Sequence, residues 1–123
     1  MKQPDKTPLF IQDGMVERGI ESAKNLGFPT ANIHFEEPDI SGTYAGKVVA
    51  DDAEYRAAIY ANQKRHVLEA HILDFSGDLY GKRIIVILLA RLAEAKAFLD
   101  VQEQQRFIGW AVAEVRKYFN QEA

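Results

Sequence analysis

Glu69 stands in the run Val67-Leu68-Glu69-Ala70-His71-Ile72-Leu73, a carboxylate among apolar neighbours. Such a group is costly unless it is partnered or lies at an edge, and functional sites collect groups of this kind. Its natural chemistry is that of a general base taking a proton from a hydroxyl. The plainer alternative is a solvated outer-face Glu paired with a Lys or Arg on the next strand. His71, two residues on, shares the same face and the same two readings. Glu69 and His71 with His66 also read as metal ligands, although strand-spaced His and Glu without a defined third ligand form a weak metal pattern.

A second set lies upstream, in Gly19-Ile20-Glu21-Ser22-Ala23-Lys24-Asn25-Leu26-Gly27-Phe28-Pro29-Thr30-Ala31-Asn32. This is a long loop with few core residues. Gly19 and Gly27 permit close backbone approach to a ligand, Lys24 brings positive charge, and Thr30 and Asn32 offer neutral oxygens two residues apart. These groups suit Mg²⁺ and phosphate, because Mg²⁺ prefers oxygen and keeps waters or phosphate oxygens in its shell. The loop is neither a Walker A motif nor a dinucleotide fingerprint, and an ordinary Gly/Pro loop ending in a Thr turn has the same composition. A third set, Phe75 and Tyr80 in the bend 73–82, reads as a hairpin whose aromatics can also stack on a flat ring. The pairs Glu36-Glu37 and Asp51-Asp52 read as solvated loop charges.

The elements that must position these groups are mostly strands. From 10 to 91, short apolar stretches are broken by Gly, Pro, Asp and Asn every 8 to 12 residues, as in an antiparallel barrel or sandwich. Strands are expected near 15–20, 43–50, 55–61, 67–75 and 83–91, with turns at Ser41-Gly42, Asp51-Asp52 and Ser76-Gly77-Asp78. In 67–73, Leu68, Ala70 and Ile72 share one face and Val67, Glu69, His71 and Leu73 the other. The run 84–89 does not alternate, which predicts a strand covered on both faces. Asp100-Val101-Gln102-Glu103 has capping-box spacing, and Phe107, Ile108, Ala111, Val112, Val115, Tyr118 and Phe119 form one helical stripe suited to the barrel wall. Trp110 falls off that stripe.

The whole chain bounds these readings. It has 123 residues, 47% of them apolar, and no cysteine, which fits one domain (10–123 after a lead-in at 1–9) and excludes disulfide, thiolate and iron–sulfur chemistry. A net charge of −3 offers no basic field for nucleic acid or membrane. The longest apolar run, 84–90, has seven residues, far below the roughly 20 of a membrane helix. The start is polar, without a signal layout. The expectation is a cytoplasmic, monomeric protein with small-molecule partners.

Together these segments resemble the riboflavin kinase family, the flavokinase domain that in many bacteria forms the C-terminal half of a bifunctional FAD-synthesising enzyme. The resemblance covers 14 to about 118. It rests on Leu26-Gly27-Phe28-Pro29-Thr30-Ala31-Asn32-Ile33, on Glu69-Ala70-His71-Ile72-Leu73-Asp74-Phe75-Ser76-Gly77-Asp78-Leu79-Tyr80-Gly81-Lys82, and on Gly42-Thr43-Tyr44-Ala45. It implies a six-stranded Greek-key antiparallel β-barrel with a C-terminal helix packed outside. It further implies transfer of the ATP γ-phosphate to the riboflavin 5′-hydroxyl, giving FMN and ADP with a divalent metal. Position by position, Glu69 would be the base and Thr30 and Asn32 would hold Mg²⁺. Gly19, Lys24, Gly27, Phe28, Pro29, Thr30 and Asn32 would bind the nucleotide, and Phe75, Asp78, Tyr80 and Gly81 would border the flavin.

The chain departs from the family pattern at Ala23-Lys24, where Gly-Arg is usual, and at Ala93 and Ala95, where an Arg and a Glu are common. The segment around Asn62 is shorter than usual. With no adenylyltransferase domain ahead of it, the chain is expected to stop at FMN. Two rival readings follow from the departures: a catalytically weak or inactive flavin- or nucleotide-binding module, and a barrel kinase for another hydroxyl substrate.

Overall fold

The computed structural model describes residues 7–17 and 30–120. Within them lie β1 (Phe10–Met15), β2 (Thr30–His34), β3 (Gly42–Ala50), β4 (Ala53–Asn62), β5 (Val67–Ile72), β6 (Arg83–Ala93) and one helix, α1 (Val101–Asn120). All strands pair antiparallel in one sheet of order β1-β6-β3-β4-β5-β2. Strands β3, β4 and β5 follow one another through hairpins, and β6 returns beside β3, which is a Greek key. The two edge strands then meet. Glu17, just past β1, bridges Asn32 of β2, its N–H donating to the Asn32 carbonyl at 2.7 Å. The barrel expected from the resemblance is therefore present, closed at one end by this bridge.

Period-two alternation divides the molecule into two apolar clusters. Inside the barrel, Ile33, Val48, Ile59, Leu68, Ile72 and Val86 pack with almost no exposure around Phe35. Outside it, Ile108, Ala111, Val112 and Val115 of α1 lie on Ala45, Ala58 and Leu73. The small Ala45 and Ala58 let the helix approach the wall closely. At the start of α1, the Asp100 carboxylate accepts the Glu103 N–H at 2.8 Å, and Glu103 reaches back to the Leu99 N–H at 3.2 Å. This closes the capping arrangement read from the sequence.

Three expectations need correction. The first strand runs over Phe10–Met15, ahead of the expected 15–20, of which 18–20 lie outside the described residues; its alternation is inverted, with Phe10, Gln12 and Gly14 half-buried while Ile11, Asp13 and Met15 face outward. Thr30 to Asn32, expected to end a loop, instead open a strand, Thr30–His34, paired throughout with β5. The run 84–89 is not covered on both faces. Ile84, Val86 and Leu88 point into the barrel, but Ile85 is 40% exposed, because α1 lies over β3 and β4 and meets this strand only farther along, at Ala90 and Leu92.

Candidate active site

Cross-strand register assembles the site. On the outer face of the barrel, Asn32 of β2 stands opposite Glu69 of β5, Glu69 opposite Tyr60 of β4, and Tyr60 opposite Thr43 of β3. One step along, Thr30 stands opposite His71 and His71 opposite Ala58. Two neighbouring rows of polar side chains thus interrupt a wall that farther along is sealed by the helix. In front of them lies a cleft of about 550 Å³, bounded by the β4–β5 hairpin, by 95–98, and by the first half of α1. A volume of this size suits a small organic ligand.

Glu69 sits in this cleft with its side chain only 15% exposed. Asn62 Nδ2 donates to Glu69 Oε2 at 3.0 Å, and Arg65 Nη1 lies 3.9 Å from the same oxygen. Neither a bare buried charge nor a simple surface ion pair describes it. Burial, followed by the negative charge of Glu69, raises the Tyr60 phenol above its usual pKa. Burial pushes the His71 imidazole down to about 4, so the ring is neutral at physiological pH.

Two buried polar atoms at this place have no partner among the described residues, Asn32 Oδ1 and His71 Nδ1. Buried polar groups are nearly always satisfied, so an orphan acceptor beside a carboxylate points to a ligand or water that completes it. Asn32 Oδ1 is the kind of neutral oxygen that Mg²⁺ accepts, and Thr30 begins the same strand. Among the described residues no cluster of three His, Cys, Asp or Glu can hold a metal. That donor set fits a cation that takes few protein ligands and fills its shell with phosphate and water. It does not support the His66, Glu69 and His71 reading: His66 is exposed on the β4–β5 turn at φ 57°, its ring 6.5 Å from that of His34.

The mouth of the cleft is aromatic and cationic. The Phe98 and Phe107 rings lie 5.3 Å apart, Lys96 Nζ stands over both at 5.8 and 5.7 Å, and Trp110 packs on Phe107 at 5.4 Å. Trp110 thus extends this cluster off the helical stripe, 43% exposed. Sequence reading alone missed Tyr60, Asn62, Lys96 and Phe98 as site residues. The usable signal was the period-two offset that puts Tyr60 and Asn62 on one face of β4. Ala95 lines the cleft, while Ala93 stands opposite Thr43 on β6.

The structure brings Asn32, Glu69 and His71 together and places Thr30 in the adjoining row. It does not bring the 75–81 turn to the cleft. Phe75 packs against the barrel interior and edge-on to Tyr55 at 5.0 Å, and the Tyr80 N–H donates to the Asp78 carboxylate at 2.9 Å. The Gly81 N–H donates to the Val16 carbonyl at 3.0 Å, with φ +80°, a backbone state that suits glycine. Gly19, Lys24, Gly27, Phe28 and Pro29, together with Ala23, lie outside the described residues.

The sequence profile described as riboflavin kinase (Flavokinase) matches residues 7–119. The bifunctional riboflavin kinase/FMN adenylyltransferases of Mycoplasma pneumoniae and Pseudomonas fluorescens are each 32% identical, over 91% and 84% of this chain. The chain spans 44% and 36% of their lengths. A crystal structure of riboflavin kinase from Trypanosoma brucei covers 98% of this chain and 82% of its own, with a TM-score of 0.66 at 22% identity, a likeness of fold. A structure titled macrolide-efflux protein from Streptococcus pneumoniae has a TM-score of 0.74 at 26% identity, covering 89% of this chain and 38% of that one.

Proposed function

We propose a function that proceeds from one premise: the chain belongs to the riboflavin kinase family. On our reading it transfers the γ-phosphate of ATP to the 5′-hydroxyl of riboflavin, yielding FMN and ADP. The observation that carries this reading is Glu69, a largely buried carboxylate held beside an Asn32 oxygen that has no partner among the described residues, in a cleft of ligand size.

Glu69 takes the hydroxyl proton as the substrate oxygen forms its bond to phosphorus and the bond to the ADP oxygen breaks. Asn32, with Thr30, is the side-chain set for Mg²⁺, which when bound neutralises phosphate charge. Phosphoryl transfer rests chiefly on positioning and on that neutralisation, so one base and few protein ligands suffice. The segment bearing Gly19, Lys24, Gly27, Phe28 and Pro29 joins Glu17 to Thr30, both beside Asn32. That connection supports its assignment to the nucleotide. The flavin ring is better placed between the Phe98–Phe107 pair and the barrel wall than along Phe75, Asp78, Tyr80 and Gly81, which do not line the cleft.

Incubating the protein with riboflavin, ATP and Mg²⁺ and separating the flavins by chromatography tests the reaction; FMN above a no-enzyme control is the expected result. Glu69→Gln should lower kcat by about a hundredfold or more, the worth of a positioned base, while riboflavin fluorescence quenching stays within about twofold. Normal turnover in that variant would remove Glu69 from the role. A second reading, binding without turnover, is favoured by one feature, the uncharged Ala95 in the cleft wall where family members commonly carry charge. It predicts riboflavin quenching with no ATP consumed.

A further inference from the structure

We propose that Asn62 is the positioning residue of Glu69 and that it reserves Oε1 as the proton-accepting oxygen, an inference that rests on the reading of Glu69 as base. The Asn62 carboxamide is engaged at both ends. Its Oδ1 accepts the Arg65 N–H at 3.1 Å, closing the turn between β4 and β5, so its Nδ2 must face the carboxylate. The turn itself is anchored, because Gln63 Nε2 donates to the carbonyls of Glu37 and Ile40. Asn62 therefore presents its donor from a fixed frame.

Both groups that engage Glu69, the Asn62 amide at 3.0 Å and the Arg65 guanidinium at 3.9 Å, meet Oε2. Oε1 has no partner among the described residues. A glutamate side chain has three rotatable bonds, and a base that wanders by an ångström loses much of its rate. Tethering one oxygen removes that freedom and leaves the other for the substrate. Tyr60 and Asn32, opposite Glu69 on either side, confine it laterally.

Asn62→Asp and Asn62→Ala separate the two ends of the tether. Asp keeps an oxygen for the Arg65 N–H but loses the donor and sets a second carboxylate beside Glu69; Ala loses both ends. Both variants should lose about tenfold in kcat with KM for riboflavin and ATP within about twofold. A kcat within twofold of the parent in either variant, or a loss that falls on KM rather than on kcat, would overturn the proposal.

A readout independent of turnover accompanies these. In a ¹⁵N-correlated spectrum, the Asn62 side-chain amide signals should shift between the parent protein and Glu69→Ala. A shift in a protein that forms no FMN sinks the kinase reading and keeps the tether. An unmoved signal sinks the tether, whatever the activity.

Discussion

Burial lowers the His71 pKa from 6.5 to about 4 and leaves the ring uncharged inside the barrel wall. An unfolded chain takes up a proton on this ring as pH falls through 6.5, while the folded chain does so only near 4. Between those values the unfolded state binds more protons, so stability is full above about 6.5 and is lost as pH drops toward 4, by about 3 kcal/mol in all. Urea unfolding from pH 7 to 4.5 should record this decline, and His71→Gln, which does not titrate there, should flatten it. An equally steep decline in His71→Gln would assign it to other groups. At this scale the sequence singled out Glu69 and His71 as polar groups in an apolar strand and Asn32 as a neutral oxygen, and the structure sets all three on one cleft. It could not disclose Asn62, Tyr60 or Phe98, which are ordinary where they stand and gain meaning only through register and the fold of 95–98 against the helix. Phe75 shows the reverse case: an aromatic in a polar bend looked like a ring-stacking group, yet it packs on Tyr55 and the core.

Helix α1 makes one cleft wall and is held chiefly by its apolar stripe. Val115, fully buried against the barrel wall, should cost about 2 kcal/mol on truncation in Val115→Ala, measured by denaturant unfolding. By contrast Arg116, which grips Asp74 with two hydrogen bonds of 3.2 Å, stands half exposed, and Arg116→Ala should change stability by less than about 1 kcal/mol. The reverse order of effects would mean the helix is held by charge. Strand β3 makes a sharper demand at Gly46, beside a register shift against β6, where a Cβ would collide with the Ile87 carbonyl oxygen and with Ile59. Gly46→Ala should therefore lose at least about 2 kcal/mol in the same assay. Among elements, β5 and α1 were legible because their apolar periods are clean. Strand β1 was not, because it turns Ile11 and Met15 to solvent and Gln12 inward, and β2 was not, because three consecutive buried residues give a five-residue strand no alternation to read.

At the scale of the molecule, the resemblance and the spacing of breakers pointed to a closed antiparallel barrel, but neither showed how it closes. The Glu17 bridge to Asn32 supplies that answer and makes one residue serve twice: its backbone completes the barrel while its side chain faces the cleft. Among the described residues no helix is long and apolar enough to cross a membrane. The outward face of β1 and β6 keeps Ile11, Met15 and Ile85 exposed, unlike the face under the helix.

The strand order also sets a timetable for synthesis. Phe10 pairs with Leu88, and the cleft needs both 95–98 and α1, so no early length of chain contains it. At about 5–20 residues per second on the ribosome, β1 waits several seconds for β6 to emerge. During that interval β1 lacks its β6 partner, and its Phe10, Ile11 and Met15 are open to association with other nascent strands. The cleft is thus among the last parts of this barrel to form.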